Sequence, residues 1–126
     1  MQQFDLANLV AARGASERPY LEFLRVPALS VGLYVLPAEG VDPQQPHSED
    51  EVYYVASGRG RILVGTEDRD VGPGAIVYVP AGVEHRFHTI AEELTIVVFF
   101  APAEYTQAAT PAITTTGDGP VGGASC

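Results

Sequence analysis

The chain contains no lysine and no tryptophan, and all seven of its basic residues are arginines: Arg13, Arg18, Arg25, Arg59, Arg61, Arg69 and Arg86. Without a lysine amine there is no Schiff-base chemistry and no Walker-type phosphate loop. Sixteen acidic residues leave a formal net charge of -9. That balance argues against a nucleic-acid partner, whose phosphates demand clustered cations, and offers no basic patch to an anionic membrane surface. The single cysteine, Cys126, cannot form an intrachain disulfide, so a reducing, cytoplasmic setting is expected. Long apolar runs are also missing. The longest, Leu94 to Ala103, is roughly half of what a membrane helix needs. The start of the chain carries Asp5 and lacks the basic head and apolar stretch of a signal peptide. No Gly-x-Ser-x-Gly elbow and no Cys–His pair is present, which leaves covalent hydrolase chemistry without support.

What is present suits one small all-β domain. The 126 residues are 46% hydrophobic, enough for a core at this size. Leu6, Leu9 and Val10 share a face if Asp5–Ala12 forms a short N-terminal helix, which Arg13-Gly14 would end. Seven segments rich in β-branched and aromatic residues then read as strands: 20–26, 29–36, 52–56, 61–64, 75–79, 85–90 and 94–100. Turn signals separate them, among them Pro37-Ala38-Glu39-Gly40, Ser57-Gly58, Gly72-Pro73-Gly74 and Pro80-Ala81-Gly82. Asp68, Arg69 and Asp70 read as a solvated turn. Gly58-Arg59-Gly60 lacks the third glycine and the following helix of a dinucleotide loop, and also reads as a turn. Many short strands so punctuated predict a sandwich or barrel over about 20–101, within a single domain of residues 1–105. Residues 106–126, mostly Thr, Gly, Ala and Pro, form a low-complexity tail expected to be flexible.

Two of the three histidines lie in informative surroundings. The first is within Gln45-Pro46-His47-Ser48-Glu49-Asp50-Glu51. Gln45 and His47 would share one side of an extended strand. His47 and Glu51 would lie roughly 13 Å apart on a straight strand, too far to share an ion, so both can be ligands only if the chain turns between them. Ser48-Glu49-Asp50 permits such a turn, and Glu49 is the alternative carboxylate if it falls elsewhere. The second histidine, His85, starts a strand after Pro80-Ala81-Gly82. Alternation puts Phe87 on its face and His88 on the opposite one, which makes His88 structural. Tyr53 shares the parity of Glu51. Tyr53 and Phe87 therefore qualify as pocket walls, and core packing would account for them equally well.

These segments resemble the two motifs of the cupin family. Gly40 through Gly58 matches the first, with His47 on the second histidine of its His-x-His pair and Glu51 separated from Gly58 by six residues. Gly74, Pro80, Gly82 and His85 match the spacing of the second. The resemblance implies a double-stranded β-helix, or jelly-roll, barrel around one divalent metal ion held by His47, Glu51 and His85. It also implies a homodimer. The chain departs from the pattern at Gln45, which replaces the first histidine, and at Thr89, which replaces a closing asparagine. Gln45 is then either a weak fourth ligand or a hydrogen-bond partner of the others. Zinc, iron, manganese and nickel all accept such a set. One carboxylate and a divalent ion make a net positive centre, expected to favour anionic or bidentate oxygen ligands. The functions implied are a metal-dependent enzyme of dioxygenase, isomerase or lyase type acting on a small oxygen-rich molecule, or a non-catalytic small-molecule-binding module.

Overall fold

The computed structural model describes residues 1–14, 19–43 and 46–105. Helix α1 (Leu6–Arg13) precedes strands β1 (Tyr20–Val26), β2 (Leu29–Leu36), β3 (Asp50–Val64), β4 (Glu67–Val71), β5 (Ile76–Val79) and β6 (His85–Ala101). The expected tail at 106–126 and Gln45 both lie outside the described residues.

Asp5 caps α1 by accepting the Asn8 N–H at 3.2 Å, and Gly14 closes it. No residue of the helix is buried, so its shared apolar face adds little to the core. A ring contact of 4.9 Å between Phe4 and Phe23 holds this end of the chain against β1. The strands pair antiparallel in the order β1-β2-β6-β3-β4, and β5 pairs with the first part of β3.

The structure corrects the sequence reading at three places. The two strands expected at 52–56 and 61–64 are one, β3, and those expected at 85–90 and 94–100 are also one, β6. Gly58-Arg59-Gly60 lies inside β3 rather than at a turn. Register slips on both sides of Ser57 and again at Arg59 let the β3–β6 ribbon bend without ending. Gly58 adopts φ +95°, and a Cβ there would meet the Glu93 carbonyl oxygen at 2.1 Å. Only glycine combines that backbone with so close a neighbour. Finally, Asp68, Arg69 and Asp70 belong to strand β4, which pairs with residues 60–64 of β3. Every side chain of β4 except Val71 is exposed, so no apolar alternation marked it.

Inward side chains of the bent ribbon and of β2 fill the barrel, including Tyr34, Leu36, Tyr53, Val55, Phe87 and Phe100. On the outer face Arg61 bonds Asp68 at 3.2 Å and Asp70 at 2.6 Å, and His88 Nε2 meets Asp68 at 2.9 Å. His88 therefore serves the outside of the sheet, as parity predicted, and holds the Asp68 carboxyl below its usual range together with Arg61.

Gly58→Ala is expected to lower stability by more than Gly74→Ala when both are measured by urea unfolding. Gly74 has φ +92° but no heavy atom within 4 Å of an added Cβ, so it reports backbone strain alone, about 1–2 kcal/mol. Equal losses would show that the approach of Glu93 is not what requires the glycine.

Candidate metal centre

Three ionisable side chains from two stretches of the chain meet inside the barrel. The chain bends at Ser48 and Glu49 before β3 starts at Asp50, which supplies the turn that the His47–Glu51 spacing required. His47 Nδ1 then lies 3.0 Å from Glu51 Oε2, and His85 Nε2 lies 2.9 Å from that same oxygen. Each residue offers one ligand atom, all within 4.8 Å of one another, and all three are buried.

Local bonding explains the placement. The Pro80-Ala81-Gly82 turn is tied to the His47 stretch at two points. Gly82 N–H donates to the His47 carbonyl at 2.6 Å, and Ala81 N–H donates to Asp50 Oδ1 at 2.8 Å. The buried Asp42 accepts the Tyr34 hydroxyl and, at 2.8 Å, the N–H of Phe87, two residues beyond His85. These bonds hold the histidine-bearing loop against the start of β6. His85 Nδ1 meets the Val83 carbonyl at 2.7 Å. A carbonyl only accepts, so Nδ1 carries a proton toward Val83, and Nε2 is the nitrogen turned to Glu51. Tyr53 packs edge-on against Phe87 at 4.8 Å and lies 6.1 Å from the His85 ring, while Phe100 lies 4.8 Å from His47. A groove of about 380 Å³ between β4 and β5 is lined by none of these residues.

A sequence profile of the cupin domain family matches residues 32–101. The chain is a cupin. An uncharacterised protein from Streptomyces coelicolor is 52% identical over 104 residues, 82% of this chain and 99% of that one. The crystal structure of TT1209 from Thermus thermophilus superposes with a TM-score of 0.68 at 27% identity, covering 82% of this chain and 99% of that one. That of the DMSP lyase DddQ from Ruegeria pomeroyi gives 0.57 at 26% identity, over 60% of this chain and 39% of that one.

Within this cupin the site extends beyond the residues its motifs pointed to. Glu104, just past β6, lies 3% exposed with Oε2 3.3 Å from His47 Nε2. Glu49, the alternative carboxylate, is also buried, and its Oε2 accepts the Ser48 hydroxyl at 2.7 Å. Glu104 carried no sequence signal: it is a lone acid after an apolar strand, outside both motifs.

A cation fits the residues present. Both carboxylate oxygens of Glu51, His47 Nδ1 and Glu104 Oε2 are buried without a hydrogen bond. Glu51 Oε2 is nevertheless within 3.0 Å of two imidazole nitrogens. Two imidazole nitrogens and a carboxylate oxygen converging in this way are of the type and spacing that a divalent ion takes as ligands. Glu104 brings a second buried carboxylate to the far side of His47, outside the group formed by His47, Glu51 and His85.

Burial by itself pushes the His47 pKa down, but the facing carboxylates of Glu104 and Glu51 outweigh it and raise it to about 9. Burial likewise pushes Glu51 up, yet the two histidines hold it below its ordinary value. In the metal-free protein a His47 proton therefore balances the buried charge. A raised folded-state pKa contributes stability that is full below the unfolded value, about 6.5, and is lost as pH rises through about 9. The melting temperature of the metal-stripped protein is thus expected to fall between pH 6.5 and 9, and His47→Gln should flatten that slope. A slope unchanged by the substitution would assign it to another group.

Proposed function

We propose that this cupin binds one divalent metal ion through His47, Glu51 and His85, and that it is a small metal-dependent enzyme acting on a small oxygen-rich molecule. The observation that carries this reading is the buried Glu51 carboxylate, one oxygen of which lies 3.0 and 2.9 Å from two histidine nitrogens. A metal bound there supplies Lewis-acid polarisation of an oxygen ligand. The chain's own residues hold and orient that centre. The Val83 carbonyl accepts from Nδ1 and so fixes the orientation of the His85 ring, Asp42 locks the loop to β6, and the packed rings of Tyr53, Phe87 and Phe100 keep bulk water from the protein side. Gln45 is proposed to tune the ion or orient its ligand.

The reaction type is of the dioxygenase, isomerase or lyase kind. The likeness to a DMSP lyase at 26% identity supports the lyase member of that set. The second reading is a non-catalytic binding module. Tyr53 and Phe87 are buried in the core, so neither reading gains a pocket wall from them. A single cysteine fits a reducing, cytoplasmic setting.

Elemental mass spectrometry of protein purified without chelator is expected to find about one metal per chain, lost in both His47→Ala and His85→Ala. No metal in the wild type, even after reloading with zinc, iron, manganese or nickel, would leave the binding module.

We also propose a homodimer through the outer sheet face. There Tyr54 pairs with Ile76 and Val97, and Val52 pairs with Tyr78 and Phe99, forming two adjacent apolar rows. Ile76 and Tyr78 are 72% and 58% exposed. Burying such a patch against its symmetry mate would remove it from water. Light scattering should report a dimer for wild type and a monomer for Tyr54→Lys/Ile76→Lys. A wild-type monomer would overturn the assignment.

A further inference from the structure

We infer that Glu104 is a positioning residue that fixes which nitrogen of His47 faces the metal. The inference rests on reading His47, Glu51 and His85 as ligands. It concerns a residue that no motif of the chain reaches, since the family match ends at residue 101.

His47 is flanked by a carboxylate oxygen at each ring nitrogen, Glu51 Oε2 at 3.0 Å from Nδ1 and Glu104 Oε2 at 3.3 Å from Nε2. A metal-bound imidazole ligates through one nitrogen and keeps its proton on the other. Glu51 is the carboxylate that His47 shares with His85, so Nδ1 is the nitrogen on the metal side. Glu104 is not in the group whose ligand atoms come within 4.8 Å of one another. The nitrogen facing it therefore carries the proton, and the otherwise unsatisfied Oε2 of Glu104 is its acceptor. His85 does the reverse: its proton is on Nδ1, held by the Val83 carbonyl, and its Nε2 points inward. The two histidines thus enter the centre through different ring atoms, and each is oriented by an acceptor behind it.

The backbone around Glu104 is built to hold this position. Its N–H donates to the Ser30 hydroxyl at 2.8 Å, and its carbonyl accepts from Arg25 Nη2 at 2.7 Å. Ala103 N–H reaches the Pro27 carbonyl at 3.4 Å. Strands β1 and β2, and the turn between them, therefore pin a segment that has no strand pairing of its own. The result is one buried side chain aimed at one imidazole edge.

The test uses zinc-loaded full-length protein with ¹⁵N-labelled histidines, read by long-range ¹H–¹⁵N correlation and assigned with His88→Ala, which leaves the site intact. The expected pattern is His47 with its proton on Nε2 and zinc on Nδ1, and His85 with its proton on Nδ1 and zinc on Nε2. Zinc on Nε2 of His47 overturns the inference. Zinc affinity, measured by chelator competition, should fall about 10–100-fold in Glu104→Ala. Glu104→Gln keeps an oxygen acceptor and should recover most of that loss, a rescue that a role through charge alone would not give. Wild-type affinity in Glu104→Ala, with zinc lost in His85→Ala, would leave the metal reading standing and remove this role. A wild type that takes up no zinc or other divalent ion fails earlier, before any Glu104 variant is made, and overturns both.

Discussion

Strand β6 pairs with β3 from one end to the other, and this long antiparallel ribbon is the constraint on which the rest of the molecule depends. A ribbon of that length with an apolar inner face cannot lie flat in water. Slips in register around Ser57 and Arg59, with Gly58 at the tightest point, let it bend and close on itself. Closure brings together residues that the pairing alone keeps apart. Glu51 is in register with Phe100, and His85 with Val64, yet Glu51 and His85 meet at 2.9 Å across the interior. The candidate metal centre is therefore a product of the bend, and the same backbone feature that completes the barrel assembles its chemistry.

The sequence showed the strands with strong alternation and sharp ends. Tyr20–Val26 and Leu29–Leu36 were legible because Pro27 and Pro37 bound them and their side chains are β-branched or aromatic. The cluster of His47, Glu51 and His85 was legible because motif spacing names those positions, although only the fold shows that they converge. Other features had no local signal. Glycines within β3 look like a turn when the close approach of Glu93 cannot be seen. Strand β4 has no apolar face because both faces of its charged run meet water or other charges. Asp42 and Glu104 are single acids in irregular segments, and only tertiary structure shows which backbone or ring each one meets.

Electrostatics separates two kinds of buried acid in this cupin. Asp42 accepts the Tyr34 hydroxyl and the Phe87 amide, and Glu49 accepts the Ser48 hydroxyl. These groups have donors among neutral partners and help hold the loop in place. Glu51 has no such donors and is kept ionised by the two imidazoles instead. Burying a carboxylate is costly, and a fold retains one when a positive charge compensates it. The His47 proton fills that role in the metal-free protein, and an ion would replace it.

Strand β4 carries a consequence of a different kind. It lies at one end of the sheet order, where a row of unpaired backbone groups could recruit a strand from another molecule. Its sequence, Glu67-Asp68-Arg69-Asp70, puts four successive charges on that border, and all four are exposed. An incoming strand would have to strip water from those side chains and break the ion pairs with Arg61. A segment with little to add to the core thereby keeps an otherwise sticky barrel from growing into an aggregate at its rim.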